Sequence, residues 1–132
     1  MNPLPAGLLA LLEDRDEVLV TSRDGSRTIA VPMAFAMAPP GVVYLLTSAF
    51  SRKVGRWARD PWVRLSVPGT AASAEGTVRP VTVTELDAAA RRAILEAFAA
   101  AGAATSESLT QLLETGAHLL LRVEATAPGS AT

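Results

Sequence analysis

The residues with the clearest chemical meaning lie between Thr47 and Pro61, in the run Thr-Ser-Ala-Phe-Ser-Arg-Lys-Val-Gly-Arg-Trp-Ala-Arg-Asp-Pro. An apolar segment, Val42 to Leu46, precedes this run and another, Trp62 to Val67, follows it. The spacing predicts a short helix between two strands, with Ser51 as N-cap and Asp60-Pro61 as its end. Arg52 and Lys53 then fall in the first turn, where the helix dipole disfavours each cation by about 0.3–1 kcal/mol. A bound anion would reverse that cost, because backbone N–H groups, a guanidinium and an ammonium would converge on one phosphate. The alternative is that both cations are solvated surface charges.

Other chemistries are excluded by what the chain lacks. Without cysteine there are no disulfides, no thiolate nucleophile and no cysteine-ligated zinc, a composition that fits a cytoplasmic protein. A single histidine, His118, makes a histidine-based metal site improbable. It reads most simply as a partly exposed strand residue. No acid–base pair stands out, so no catalytic residue is assigned. With 12 basic and 13 acidic residues and 5% aromatics, nothing favours a nucleic-acid partner. The Leu4 to Leu12 run is too short to span a membrane and lacks the basic flank of a signal peptide.

The elements that must position the Thr47–Pro61 segment follow from periodicity. A chain of 132 residues with 49% hydrophobic content suits one domain with a real core. We expect it to span residues 1–126, opening with a short helix over 4–13 and ending in a flexible tail, 127–132. Residues 17–22 read as a strand, and Arg23-Asp24-Gly25-Ser26 as a tight hairpin. From Thr28 to Met37 the residues alternate: Ile29, Val31, Met33, Phe35 and Met37 on one face, and Thr28, Ala30, Pro32, Ala34 and Ala36 on the other. The second face is uniformly small, so a flat ligand, a partner chain or a helix can approach the backbone there. Pro32 marks an edge or a break.

Ala38-Pro39-Pro40-Gly41 is a turn, and Val42 to Leu46 a buried central strand. Trp57 falls on the apolar side of the short helix and reads as packing. After the strand Trp62 to Val67, we expect a loop over 68–75, then a strand from Gly76 to Val83 with Pro80 at an edge or bulge. Thr84 is placed as the cap of a long helix with Asp87 at its capping-box position. The buried stripe of that helix is Leu86, Ala90, Ile94, Ala97, Phe98 and Ala101, with Gly102 at its end. A further short helix over 106–114 precedes a last strand, Ala117 to Ala125, with Leu119, Leu121 and Val123 inward. The sum is a mainly β chain with helices (α+β). It is an antiparallel split β-barrel of about six strands, with helices covering the barrel ends.

This series resembles the pyridoxamine 5′-phosphate oxidase-like split barrels, which bind FMN or a deazaflavin. The resemblance rests on Asp24-Gly25, Val31-Pro32, Val43-Tyr44-Leu45-Leu46-Thr47-Ser48, Ser51-Arg52-Lys53, Arg59-Asp60-Pro61-Trp62-Val63-Arg64-Leu65-Ser66-Val67 and Gly76-Thr77-Val78. It covers roughly residues 15 to 126. It implies a homodimer with the cofactor at the subunit interface. Arg52 and Lys53 would bind the cofactor phosphate, with Ser51 adding a hydroxyl, and Thr47 and Ser48 would lie near the ribityl chain or phosphate. The backbone around Pro32, Met33 and Ala34 would lie beside the flavin ring. The resemblance therefore implies an FMN-dependent oxidoreductase acting on a small molecule. The alternatives are a non-catalytic flavin-binding or stress-related protein, and a cofactor-free structural dimer. The remaining basic residues form no second cluster, so oxidation of pyridoxamine phosphate itself is not expected.

Overall fold

The computed structural model describes residues 3–38, 41–102 and 105–126. The chain order is α1 (Ala6–Leu12), β1 (Glu17–Asp24), β2 (Arg27–Ala38), β3 (Val42–Ser48), α2 (Arg52–Arg59), β4 (Trp62–Ser66) and β5 (Ser73–Val81). A 3₁₀ turn (Val83–Glu85) then leads to α3 (Ala88–Ala100), α4 (Ser106–Glu114) and β6 (His118–Ala125). The strands form a closed antiparallel barrel in the order β1-β2-β3-β6-β5-β4, sealed by pairing of β1 with β4. The β1–β2 hairpin turns through Gly25 and Ser26, and Gly25 supplies the positive φ that a two-residue loop needs.

Alternation sorts the side chains into two cores. Val18, Val20, Met33, Phe35, Val43, Leu45, Val63, Leu65, Val78, Leu121 and Val123 fill the barrel. Leu4, Leu8 and Leu12 of the α1 region join them, and α1 leads into the start of β1, so it closes that end. Trp57 of α2 joins the same core and donates its indole N–H to Ser22 Oγ (3.0 Å) near the end of β1. The second core lies on the outer wall, where Ile94 and Phe98 of α3 and Leu109 of α4 cover Ala36, Ala38, Val42, Tyr44, Val81 and Leu120. Helices thus cover the barrel ends, as expected, and also one wall. A β3 that is apolar on both faces is explained by its place between these two cores.

Several boundaries differ from expectation. β5 begins at Ser73, because Ser73 to Gly76 pair with β4, so the last three residues of the loop read over 68–75 are strand and the rest is loop as expected. β5 ends at Val81, and Thr84 is not the cap of α3. Asp87 is, accepting from Ala90 N at 2.7 Å, while Thr84 sits in the 3₁₀ turn with its hydroxyl 2.9 Å from that of Thr82. Leu86 therefore precedes α3 rather than lying in it. The small face of β2 is divided: α3 buries Ala36 and Ala38 and partly covers Ala34, whereas Ala30 and Pro32 stay exposed. Residues 39–40 of the turn and the tail 127–132 lie outside the described residues.

Prolines mark where ladders stop. Pro32 pairs with Leu19 of β1, but the β2–β3 ladder begins only at Phe35–Leu45. Pro80 pairs with Leu121 of β6, beyond the last β4–β5 pair, Trp62–Thr77. Each lacks a ladder partner on one side, which is where a residue without an N–H is tolerated. Gly76 is needed for a different reason. It sits between β4 and β6, and a Cβ there would collide with the carbonyl oxygen of Glu124.

Candidate functional site

The site begins where β2 and β3 part. Extending their register past Phe35–Leu45 would set Ala34 against Leu46, Met33 against Thr47 and Pro32 against Ser48, yet the ladder includes none of these pairs. The segments 32–34 and 47–48 therefore flank the stretch where the two strands no longer pair. Met33 and Thr47 point inward and are buried, while Pro32, Ala34, Leu46 and Ser48 present the outer face.

From Ser48 the chain turns into α2 through a set of local bonds. Ser48 Oγ accepts from Phe50 N at 3.3 Å, and Ser48 O accepts from Ser51 N at 3.1 Å. Ala49 N donates to Ala117 O at 2.9 Å, which pins the turn to the start of β6. Ser51 is the N-cap as expected, its Oγ accepting from Lys53 N at 3.2 Å. The amides of Lys53 and Val54 are thus already engaged within the turn. An anion at this end would meet the side chains of Arg52 and Lys53 and the Ser51 hydroxyl more than bare amides.

Among the described residues neither Arg52 nor Lys53 enters an ion pair, whereas Arg23, Arg59, Arg79 and Arg122 all do. No acidic residue stands in the first turn of α2. Arg56 adds a third cation, three and four residues on from Lys53 and Arg52, and its Nε is buried with no hydrogen-bond partner. Like charges at these helical spacings cost about 0.2–0.5 kcal/mol per pair. The i, i+3 and i+4 spacing was the available signal for Arg56, which sequence reasoning did not single out.

The other end of α2 is clamped. Asp60 takes both a hydrogen bond from Arg23 Nη2 (3.1 Å) and the Arg23 Nε contact (2.9 Å), and accepts from Trp62 N at 3.2 Å. The Arg23 hydrogen bond, then that of Trp62, holds the Asp60 carboxyl below its ordinary value of 3.8. Arg23 also lies over the Trp62 ring, 4.6 Å from its centroid. With Trp57 bonded to Ser22 and Arg59 3.7 Å from Asp24, α2 is fixed to β1 at three points, and its basic end is held in place by its opposite end.

His118 is the site neighbour that the sequence did not reveal. It pairs with Ser48 in the β3–β6 ladder, so the two side chains stand side by side on the outer face. Position in a strand signals exposure, but only the strand order brings His118 beside Ser48.

No protein-family model matches the sequence, and no curated protein matches it by sequence. Solved structures do match in shape. A candidate pyridoxamine 5′-phosphate oxidase from Listeria innocua superposes with a TM-score of 0.63 at 18% identity, covering 92% of both chains. An FAD-binding protein from Mesorhizobium loti gives 0.64 at 14% identity, over 94% of this chain and 90% of that one. The chain has the split-barrel fold of the pyridoxamine 5′-phosphate oxidase-like proteins. General stress protein 26 from Bacillus anthracis shares this split barrel too, at a TM-score of 0.61 and 13% identity, over 89% and 85% of the two chains. Among the described residues of the split barrel no helix is long and apolar enough to cross a membrane, and no acidic or histidine cluster could hold a metal.

Proposed function

We propose that this split barrel binds FMN and uses it to transfer electrons to or from a small molecule, as a homodimer with the cofactor between subunits. The observation that carries the reading is the unpaired Arg52–Lys53 couple, just after the stretch where β3 parts from β2. A phosphate would compensate the two cations, with Ser51 donating its hydroxyl. The backbone at Pro32 to Ala34, with small or exposed side chains on its outer face, leaves room for a flat ring. FMN supplies the redox chemistry when bound, and the protein's part is to hold, orient and shield it. That role needs no acid–base pair, which agrees with the absence of one in the sequence. The FAD-binding relative in shape supports a flavin, and a deazaflavin would use the same phosphate contacts.

The second reading is a flavin-binding protein without turnover, which the shared fold of a general stress protein favours. Purified protein distinguishes them. A flavin absorbance spectrum, with FMN released on denaturation, supports binding. Oxidation of a reduced nicotinamide by the loaded protein with an electron acceptor supports the enzyme. Protein that neither carries nor takes up FMN or deazaflavin would leave a cofactor-free dimer. FMN-loaded protein is expected not to oxidise pyridoxamine phosphate, because Arg79 and Arg122 are committed to Glu85 and Glu124 and supply no second anion site. Turnover of order 1 per second in an oxidase assay would refute that.

A further inference from the structure

The largest recess beside the site is a groove of about 440 Å³ between the start of β6, the end of α4 and the segment leading from β5 to α3. Its walls are chiefly apolar, with Leu113 and Val83 as partly exposed apolar side chains and the buried Leu120 beneath them. The polar groups on it are the His118 ring, the Thr82 and Thr84 hydroxyls and Glu114. Its size and few polar groups are those of a small-molecule pocket.

His118 determines what such a pocket can hold. Its Nδ1 is enclosed and has no hydrogen-bond partner. An orphaned donor costs more than an orphaned acceptor, so in the neutral ring the proton belongs on Nε2. The nitrogen left for a ligand is then an N–H donor. Thr82 and Thr84 share one hydrogen bond, which leaves one hydroxyl proton free as a further donor beside His118. Glu114 at the rim opposes an anion, and the His118 N–H donor is matched by a neutral carbonyl acceptor rather than by a cation. From these features we infer that the groove binds a small neutral molecule. Its apolar body lies on Leu113 and Val83, partly exposed apolar side chains of the groove, and its carbonyl oxygen accepts a hydrogen bond from His118 Nε2. Because Ser48 is the cross-strand neighbour of His118, the pocket adjoins the proposed phosphate site without using Arg52 or Lys53. It would seat the reacting molecule of a flavoprotein, and it stands independently if no flavin binds.

The test uses the full chain without added flavin and benzylideneacetone, a neutral aryl enone, as probe. The chain has one histidine, so its imidazole gives a single unambiguous set of NMR signals. Saturable shifts of that imidazole and of the Thr82 and Leu119 amides are expected. His118→Phe, which keeps the ring bulk, should weaken the probe about five- to ten-fold, the loss of one neutral hydrogen bond. His118→Gln, which restores an N–H donor, should recover part of that affinity. Leu113→Trp should abolish binding by filling the groove. Shifts that stay linear with probe concentration, or a His118→Phe protein that binds as tightly as the native one, would overturn the inference. FMN uptake, measured separately by flavin fluorescence, reports on the Arg52–Lys53 site alone.

Discussion

At Lys53 two effects of opposite sign meet. In the free protein the ammonium sits in the first turn of α2 against the helix dipole, and with Arg56 three residues on. With a phosphate bound, the same charge donates a charge-assisted hydrogen bond. Lys53→Ala should therefore weaken FMN by about 1.5–3 kcal/mol in a fluorescence titration. Thermal unfolding of the flavin-free protein should be unchanged or slightly higher, since a misplaced cation is gone. Unaltered FMN affinity would show that the phosphate lies elsewhere. Arg52, Lys53 and Ser51 were legible in the sequence because capping and charge order are local rules. His118 was not, because its meaning comes from Ser48, seventy residues earlier, across a ladder whose partner no local rule names.

At the scale of elements, α2 carries the basic residues but owes its position to β1. The ties are the buried Trp57–Ser22 hydrogen bond, the Arg23–Asp60 pair and the more exposed Arg59–Asp24 pair. The second tie depends on pH. The folded state depresses the Asp60 pKa, so its contribution to stability is complete above the ordinary value of 3.8 and disappears as pH falls through the depressed folded value. Acid titration of unfolding free energy should thus show a loss below that ordinary value that is smaller in Asp60→Asn. An identical acid limb in the variant would mean the pair adds nothing. The pair is partly exposed, so the effect should also shrink with added salt. The same dependence on distant partners explains the misread boundaries. Ser73 to Glu75 have loop-like composition, yet β4 supplies a ladder that makes them strand. Thr84 and Asp87 are both good caps by type. Asp87 wins because Leu86 must turn down into the outer core before α3 can begin.

For the whole molecule, alternation and turn residues gave the strand number and the two-sided burial of β3, while closure of the barrel through β1 and β4 had no signal of its own. Assembly is the remaining question at this scale. The small face of β2 was open to three readings: a ligand, a partner chain or a helix. α3 answers for Ala36 and Ala38, and the exposed part is now Thr28, Ala30 and Pro32, on the stretch that pairs with β1 alone. Phe50, 90% exposed in the turn before α2, adds a large apolar group close to Ser48 and Ser51. A half-paired strand and a bare phenylalanine are features that a second copy would cover. We therefore expect a homodimer that includes Ala30 and Phe50 in its contact and completes the cofactor site. In an isologous interface each altered residue appears twice. Ala30→Arg should thus split the dimer at micromolar concentration in sedimentation velocity while leaving the far-UV spectrum native. FMN affinity should fall with it, although Lys53 is untouched. A native protein that sediments as a monomer would refute the dimer. A dimeric Ala30→Arg protein with full FMN affinity would move the interface off β2.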